Sequence, residues 1–329
     1  MADLTHKFGN QQIACLALHL QGESWKKPFR NIPDSARLNF LESGYRLYGN
    51  KFNEMLTNSL NCLEKHLLNN FRVLTIVDEI YPDLLKTSIN PPLAFFYAGN
   101  VDLLGKQCLA IVGTRNPSPI TIRWVECITE FLGENGYCIV SGLAKGIDYC
   151  VHKSALSTGT IGVSPQSLDI EYPINNKDIY AHAKNHDKNV LIISEYPVTT
   201  VARKFHFRHR NRIIAGLCPI TIFAEGGRDS GAMITANWCI KNNRTLYAIF
   251  SKMQGDNSGA LYLMENNLGI DITCHLPLVT MRHSFDNTDR SIVRKGFFYI
   301  GASNWVKINK NCFSLKFLSP DQQDQDFER

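Results

Sequence analysis

Three short segments combine glycines and basic residues in patterns suited to binding an anion. They are Gly113-Thr114-Arg115, Ser141-Gly142-Leu143-Ala144-Lys145-Gly146-Ile147-Asp148 and Arg210-Asn211-Arg212-Ile213-Ile214-Ala215-Gly216-Leu217. A planar guanidinium can donate two parallel hydrogen bonds to phosphate oxygens. Backbone amides in glycine turns at helix N-termini form concavities that accept anions. We therefore interpret the three segments as parts of one anion-binding site.

The interval between Glu195 and Glu225 contains no acidic residue and is rich in cations and aromatic rings. Its basic residues, with the two phenylalanines that lie among them, are Arg203, Lys204, Phe205, His206, Phe207, Arg208, His209, Arg210 and Arg212. Such a mixture is typical of surfaces where phosphates pair with cations and bases stack on rings. We expect a helix over Arg208–Leu217, which places arginines in its first turn, where a bound phosphate would offset their repulsion by the helix dipole. The alternative is a solvated basic face.

The elements that must position these segments are predicted to be strands alternating with helices. The apolar runs are Leu109–Val112, Cys138–Val140, Thr160–Val163, Val190–Ile193, Ile220–Phe223 and Thr245–Ile249. Continuous apolar runs separated by helical periodicity predict an α/β fold, a mostly parallel sheet with helices on both faces. Ligands of such sheets bind beyond the carboxyl ends of the strands, where the three segments fall.

We expect three regions along the chain. Residues 1–72 are interpreted as a small helical domain, because leucines from Leu56 to Leu68 repeat at helical spacing and Asp34-Ser35 suits a helix cap. We expect this domain to resemble sterile-alpha-motif or helix-hairpin-helix domains. Residues 73–275 form the α/β domain. Residues 276–329 contain two β-like runs, Gly296–Ile300 and Cys312–Phe317, and a polar tail at 320–326 that we expect to be disordered.

Composition favours a cytoplasmic protein. The net charge is +5, and the ten cysteines form no CxxC pair, which argues against a zinc module or a disulfide framework. The apolar stretch Ile13–Leu20 is too short for a signal peptide, and no run approaches the roughly 20 residues of a membrane span. We expect no metal and no cofactor.

The order of the motifs resembles the DNA-processing protein A family, also called Smf. The matching elements, over about residues 80–250, are Tyr81-Pro82, Tyr97-Ala98-Gly99, Gly113-Thr114-Arg115, Ser141–Asp148 with His152, Leu168-Asp169, Tyr172-Pro173, Ser194-Glu195-Tyr196-Pro197, Arg210–Leu217 and Ser230–Ala236. The resemblance implies an extended Rossmann-like domain that binds single-stranded DNA. It also implies delivery of incoming strands to a RecA-type recombinase in natural transformation, and a homodimer.

The chain departs from the family pattern in several places. Ser164-Pro165-Gln166-Ser167 replaces the usual Leu-Gly-x-Gly, and Arg208 stands where the family has proline. Phe250-Ser251 replaces the Pro-Gly that follows the last strand, and the C-terminal part does not resemble the winged helix of some members. The chain is identified as a divergent member.

The residues that we expect to contact DNA are Gly113, Thr114, Arg115, Ser141, Gly142, Lys145, Arg208, Arg210, Asn211 and Arg212. Structural roles are expected for three others, Asp148, Glu195 and Ser230. Arg115 has an alternative as an ion pair with Asp148 or Glu195, and Lys145 has an alternative as a solvated lysine. His152, four residues after Asp148, is interpreted as a structural histidine or a ligand.

A competing hypothesis is a nucleotide-binding or nucleotide-processing protein. Glu225-Gly226-Gly227 resembles part of the Pro-Gly-Gly-x-Gly-Thr-x-x-Glu signature of Rossmann-like phosphoribohydrolases. Here Arg228-Asp229-Ser230 follows, and the next glutamate is Glu265. Because the carboxylate that would act on the ribose is missing, we expect no catalytic residue and no enzyme. A ligand sensor that uses the same pocket is the remaining alternative.

Overall fold

The structure is a computed structural model that describes residues 8–22, 39–250 and 255–272, together with three short strands between 297 and 317. The cap expected at Asp34-Ser35 and the polar tail at 320–326 lie outside the described residues. Within the described part of the chain, no helix is long and apolar enough to cross a membrane.

In the described part of the chain, three helices precede the sheet. They are α1 (Asn10–Leu20), α2 (Phe40–Tyr48) and α3 (Lys51–Leu68). Asn39 caps α2, since its side chain accepts a hydrogen bond from the Glu42 amide. The leucine repeat predicted a helix at the position of α3, and that prediction is confirmed. These helices lie inside the 1–72 region, but their separation as a domain remains a prediction, because Ala14, Phe40 and Phe52 pack in one apolar cluster with residues of the sheet.

A nine-stranded sheet forms the centre of the molecule. Its strands are β1 (Arg72–Thr75), β2 (Ala94–Gly99), β3 (Cys108–Val112), β4 (Cys138–Ser141), β5 (Thr160–Ser164), β6 (Val190–Ser194), β7 (Ile220–Phe223), β8 (Thr245–Ala248) and β9 (Ile270–Asp271). The six apolar runs predicted as strands are β3 to β8, and Leu93–Ala98, which is also strand-like in sequence, overlaps β2. The sequence analysis missed β1 and β9, which are short and have exposed residues.

The helices that connect these strands cover both faces of the sheet. They are α4 (Asp83–Lys86), α5 (Pro119–Glu134), α6 (Ile147–Ser154), α7 (Lys177–Lys184), α8 (Lys204–Leu217), α9 (Gly231–Lys241) and α10 (Ser258–Glu265). Alternate residues of β3 show the two faces, since Ala110 and Val112 belong to one apolar cluster and Leu109 and Ile111 to another. The predicted fold class, a mostly parallel α/β sheet with helices on both faces, is confirmed.

The strand order is β1-β2-β6-β5-β4-β3-β7-β8-β9. Strands from β6 to β9 in this order pair in parallel, and β1 and β2 add an antiparallel edge. The chain moves outward from β3 to β6, then returns to place β7 on the other side of β3. This reversal is the topological switch point, where open α/β sheets bind their ligands.

A separate three-stranded antiparallel sheet is formed by β10 (Phe297–Tyr299), β11 (Trp305–Ile308) and β12 (Leu315–Phe317). Strands β10 and β12 fall within the two β-like runs expected from the sequence. Strand β11 was not predicted.

Candidate functional site

The two glycine turns meet at the carboxyl ends of β3 and β4. The Ile147 amide, at the start of α6, donates a hydrogen bond to the Thr114 carbonyl over 3.1 Å. Gly146 permits this approach because it has a φ of +77° and because a Cβ atom there would lie 2.5 Å from the Thr114 oxygen. The structure therefore joins the first two predicted segments into one surface.

Glu225, which follows β7, holds the first turn from the opposite side. Its carbonyl accepts a hydrogen bond from the Thr114 amide at 2.7 Å, and its carboxylate accepts one from the Ser118 hydroxyl at 2.8 Å. Glu225 is buried. The Thr114 backbone is thus fixed on both sides, and Arg115 follows a rigid segment. Sequence reasoning considered Glu225 only as part of an enzyme signature and missed this bracing role.

The amides of the second turn are used within the protein. The Asp148 carboxylate accepts hydrogen bonds from the Gly142 and Ala144 amides at 3.1 and 3.3 Å, and His152 Nε2 accepts one from the Leu143 amide at 3.3 Å. These are orienting contacts of the kind expected for Asp148. We expected these amides to form a concavity that binds an anion. They already have partners inside the protein, and the Arg210 guanidinium packs against Gly142, so they are not free to bind one.

His152 is a buried structural histidine. Its Nδ1 contacts the Thr160 hydroxyl at 2.7 Å, so both ring nitrogens have partners inside the protein. Burial, assisted by the Arg210 charge, lowers the pKa of His152 from 6.5 to about 3. The ring is therefore neutral in the folded protein at physiological pH, which argues against its role as a cationic phosphate contact.

Because His152 is buried and neutral, we predict that the stability of the folded protein decreases in acid. Its folded-state pKa lies below its unfolded-state pKa, so the unfolded state takes up the proton first and stability falls as the pH drops from about 6.5 to 3. Between pH 7 and pH 5, His152 should account for a loss of about 2 kcal/mol. Urea unfolding of the protein and of His152→Gln at both pH values measures this contribution. The variant should start less stable at pH 7 and lose about 2 kcal/mol less on acidification. Equal losses would contradict a neutral His152.

Helix α8 begins earlier than predicted. Its first residue is Lys204, and the Arg203 amide donates to His206 Nδ1 at 3.3 Å. Arg210 and Arg212 therefore lie in the middle of the helix and not in its first turn. The helix-dipole argument for a phosphate beside them does not apply, because the dipole acts on the terminal turns.

Arg210 points into the protein. It is 4% exposed, and its Nη1 donates to the carbonyls of Gly142 and Val163. Asn211 is also buried, and its side-chain amide donates to the Gly231 carbonyl at 3.0 Å. Both side chains tie α8 to neighbouring segments, so the structure gives them internal partners where the sequence predicted DNA contacts.

Arg212 forms a buried ion pair with Glu195 on the opposite side of α8. The two side chains are 3% and 7% exposed, and Arg212 Nη2 donates to Glu195 Oε1. Burial opposes ionisation of Glu195, but the Arg212 charge and the His209 contact outweigh it and hold its pKa at about 2. The Glu195 carbonyl also accepts a hydrogen bond from His19 of α1 at 2.8 Å. Glu195 thus has a structural position, and Arg212 is buried where the sequence predicted a DNA contact.

The exposed members of the predicted set are Arg115, Lys145 and Arg208. The Arg115 guanidinium lies 5.6 Å from the centre of the Phe207 ring, and Phe207 packs edge-on against Tyr172 at 6.2 Å. Among the described residues Arg115 forms no ion pair, so the alternative pairing with Asp148 or Glu195 does not occur; those carboxylates bind the second turn and Arg212.

The remaining predicted residues are structural or recessed. Ser141 is buried and donates to the Ile111 carbonyl at 2.7 Å, and Gly113 and Thr114 are half-buried. Ser230 is the N-cap of α9, where its hydroxyl accepts a hydrogen bond from the Met233 amide. We call the cluster of the exposed Arg115 and Tyr172 with the half-buried Phe207 the basic-aromatic surface. Tyr172 was noted only as part of a motif, and its contact with Phe207 had no sequence signal.

A model of one protein family, described as DNA recombination-mediator protein A, matches residues 72–274. The chain belongs to this family. The resemblance seen in the order of the motifs is therefore confirmed, and the match covers the sheet and both glycine turns.

Individual family members give the extent of the similarity. DNA processing protein DprA of Streptococcus pneumoniae is 40% identical over 198 residues, which are 59% of this chain and 69% of that protein. Protein Smf of Synechocystis is 37% identical over 216 residues, and the chain spans only 54% of its length.

Two solved structures are also similar. DNA processing protein A from Streptococcus pneumoniae superposes with a TM-score of 0.61 and 32% identity, over 76% of this chain and 92% of that one. The structure describing the single-stranded DNA binding mode of DNA processing protein A from Helicobacter pylori superposes with a TM-score of 0.57 and 28% identity. The superposition covers 66% of this chain and 97% of that one. Both share the Rossmann-like architecture described above.

Proposed function

We propose that this family member binds single-stranded DNA without sequence preference on the basic-aromatic surface. The observation that supports this most is the position of Arg115, an exposed cation that follows a braced turn and lies beside the half-buried Phe207 and the exposed Tyr172 at the switch point of the sheet. Membership of the family, and similarity to the Helicobacter pylori protein whose structure describes single-stranded DNA binding, also support this proposal.

The surface supplies both kinds of contact that a single strand needs. Further exposed cations lie on the second glycine turn, Lys145, and at the start of α8, Arg203, Lys204 and Arg208. Tyr172 is 47% exposed, so its ring is open to a stacking base. Bases stack on such rings with little preference for sequence, while the cations neutralise phosphates. In this proposal Arg210, Asn211 and Arg212 support the surface from inside.

The broader role that we propose follows from the family. The chain would act in the cytoplasm as a homodimer that protects incoming strands and loads a RecA-type recombinase on them during transformation. Sedimentation showing a strict monomer at micromolar concentration would contradict the dimer. Recombinase filaments that assemble on single strands at an unchanged rate when the chain is added would contradict loading.

A binding role is favoured over nucleotide hydrolysis by the environment of Glu225. This glutamate is 2% exposed and its carboxylate accepts hydrogen bonds from Ser118, so it braces a turn. We propose that the family member is not an enzyme. Incubation with nucleoside monophosphates that released free base would contradict this.

The proposed contacts predict strong salt dependence. Each phosphate neutralised on a single strand releases counterions, so log affinity should fall with log salt at about −0.7 per phosphate contacted. With three to five of the exposed cations engaged, we expect a slope of roughly −2 to −3.5. Fluorescence anisotropy of a labelled oligo(dT) between low and moderate salt measures it. A slope near zero would contradict a phosphate-binding surface.

A further inference from the structure

The segment that leads from β6 into α8 is held by the N-terminal helices. We call residues 195–203 the entry segment, since they end at Arg203, the N-cap of α8. His19 of α1 contacts the Glu195 carbonyl at 2.8 Å, and the Val198 amide donates a hydrogen bond to Nε2 of His66 in α3 at 3.1 Å. Two helices of the 1–72 region therefore hold one short segment that ends where α8 begins.

The partners of His66 determine its charge and its tautomer. A backbone amide only donates, so Nε2 must accept from Val198. A carbonyl only accepts, so Nδ1 must carry the proton that bonds to the Cys62 carbonyl at 2.7 Å. His66 is 1% exposed and stacks on Phe96 of β2 with 3.8 Å between ring centres, and burial lowers its pKa. It is therefore a neutral acceptor for Val198 in the folded protein at physiological pH.

The entry segment in turn contacts the first turn of α8. The Tyr196 ring stacks on the His206 ring, with 4.1 Å between their centres and 17° between their planes. His206 is the third residue of the helix, and its Nδ1 accepts the hydrogen bond from the Arg203 amide. The same turn carries Lys204 and Phe207. A displacement of the entry segment would therefore reach the part of α8 that contributes to the proposed DNA contacts.

The chain that carries Tyr172 is bonded to the same segment. The Asp169 carboxylate accepts hydrogen bonds from the Thr199 amide at 3.2 and 3.1 Å, and the Ser167 amide donates to the Thr200 carbonyl at 3.1 Å. Thr199 has a φ of +70°, which is unfavourable for a β-branched residue and persists only where surrounding contacts hold it. The entry segment thus links the strand-end turn before Tyr172 to the start of α8.

We propose that His66 is a positioning residue of the DNA-binding surface, which holds the entry segment through the Val198 amide and so fixes the start of α8. The N-terminal helices are then part of the binding unit, although none of the predicted DNA contacts lies in them. The proposal rests on the proposed function for its ligand, single-stranded DNA, but the effect of His66 on α8 can be measured without DNA.

The test compares two replacements of His66. Phenylalanine keeps a ring that can stack on Phe96 but has no acceptor for the Val198 amide. Glutamine has a carbonyl oxygen that can take the place of Nε2. The Cys62 carbonyl needs no side-chain donor, because carbonyls in a helix accept the amide four residues on.

Fluorescence anisotropy of labelled oligo(dT) measures the consequence for binding. One hydrogen bond shifts an equilibrium by about two- to twelvefold, so His66→Phe should weaken binding about threefold or more. His66→Gln should bind within about twofold of the unsubstituted protein, because it restores the hydrogen bond. If His66→Phe does not fold, His66→Asn replaces it, since its shorter amide does not reach Val198.

Met55→Ala is the matched control for a general loss of stability. Met55 lies in the same helix, about 16 Å from His66 along the axis, and is 3% exposed. It packs in a different apolar cluster from Val198. A cavity at this position destabilises the fold, but oligo(dT) binding should be unchanged at a temperature where thermal unfolding shows every variant to be folded.

Amide hydrogen exchange of the free proteins measures the effect on α8 without DNA. In His66→Phe, exchange should accelerate about threefold or more at Val198 and at Arg203, whose amide bonds to His206. It should stay unchanged at Arg203 in His66→Gln and in Met55→Ala.

Unchanged oligo(dT) affinity in His66→Phe, unchanged exchange at Arg203, or equal weakening by phenylalanine and glutamine would overturn the proposal. A loss of affinity in Met55→Ala as large as that in His66→Phe would overturn it too, because the cause would then be general destabilisation. If the unsubstituted protein does not bind oligo(dT), the proposed function fails, and exchange at Arg203 alone decides whether His66 positions α8.

Discussion

Replacing Arg212 by alanine is expected to lower the free energy of unfolding by about 3–5 kcal/mol. The guanidinium is buried and paired with Glu195, which is itself 7% exposed. Removing it leaves a carboxylate out of contact with water and with only the His209 contact at 3.4 Å. The free energy of unfolding of an ordinary domain is about 5–15 kcal/mol. The substitution would therefore remove a large share of the stability. Urea unfolding at pH 7 measures it.

Arg208→Ala is the matched control, because it removes the same charge from the same helix at an exposed position. Its effect on stability should stay within about 0.5 kcal/mol. If Arg212→Ala does not fold, Glu195→Gln keeps the shape of the pair and should still be destabilising. If Arg212→Ala left the stability unchanged and greatly weakened DNA binding, Arg212 would contact the DNA directly, which would contradict its structural role.

Replacing Arg115 by alanine should weaken single-stranded DNA binding roughly tenfold more than replacing Arg203 does. A preorganised charge-assisted hydrogen bond is worth about 1.5–3 kcal/mol. Arg115 follows a turn that is fixed by hydrogen bonds to Glu225 and Ile147. Arg203 precedes α8 as an exposed residue and loses up to about 2 kcal/mol of side-chain entropy when a strand orders it.

Anisotropy titrations of oligo(dT) at one salt concentration compare the two variants, after each has been shown to be folded. Both substitutions remove one positive charge, so a purely long-range electrostatic effect would make them equal. Equal losses would show that the start of α8, and not the turn after β3, forms the main contact.

The sheet could be predicted from the sequence because each central strand is a continuous apolar run. Strands β3 to β8 are buried on both faces, so their apolar character does not depend on knowing the partner strand. Strand β1 begins with the exposed Arg72 and β9 has two exposed residues, so neither has this signal. The start of α8 was missed because Phe205, His206 and Phe207 match the pattern of a loop as well as that of a helix.

The site was only partly predictable, because composition shows cations but not their directions. Arg208, Arg210 and Arg212 are alike in sequence, yet one is exposed and two are buried, on opposite sides of α8. Their directions depend on which carbonyls and carboxylates the rest of the fold brings to them. The contact of Arg115 with Phe207 joins residues 92 positions apart and has no local pattern.

The most direct test of the account is a competition experiment on the intact chain. A labelled single-stranded oligo(dT) is bound, and unlabelled single strand, duplex of equal length and mononucleotide are added in turn. The account predicts that single strands displace the label at the lowest concentration, that duplex is weaker, and that mononucleotide is ineffective at comparable nucleotide concentration. Displacement by mononucleotide as efficient as by single strand would show that the site accepts a nucleotide and not a polymer, and would contradict the proposed function.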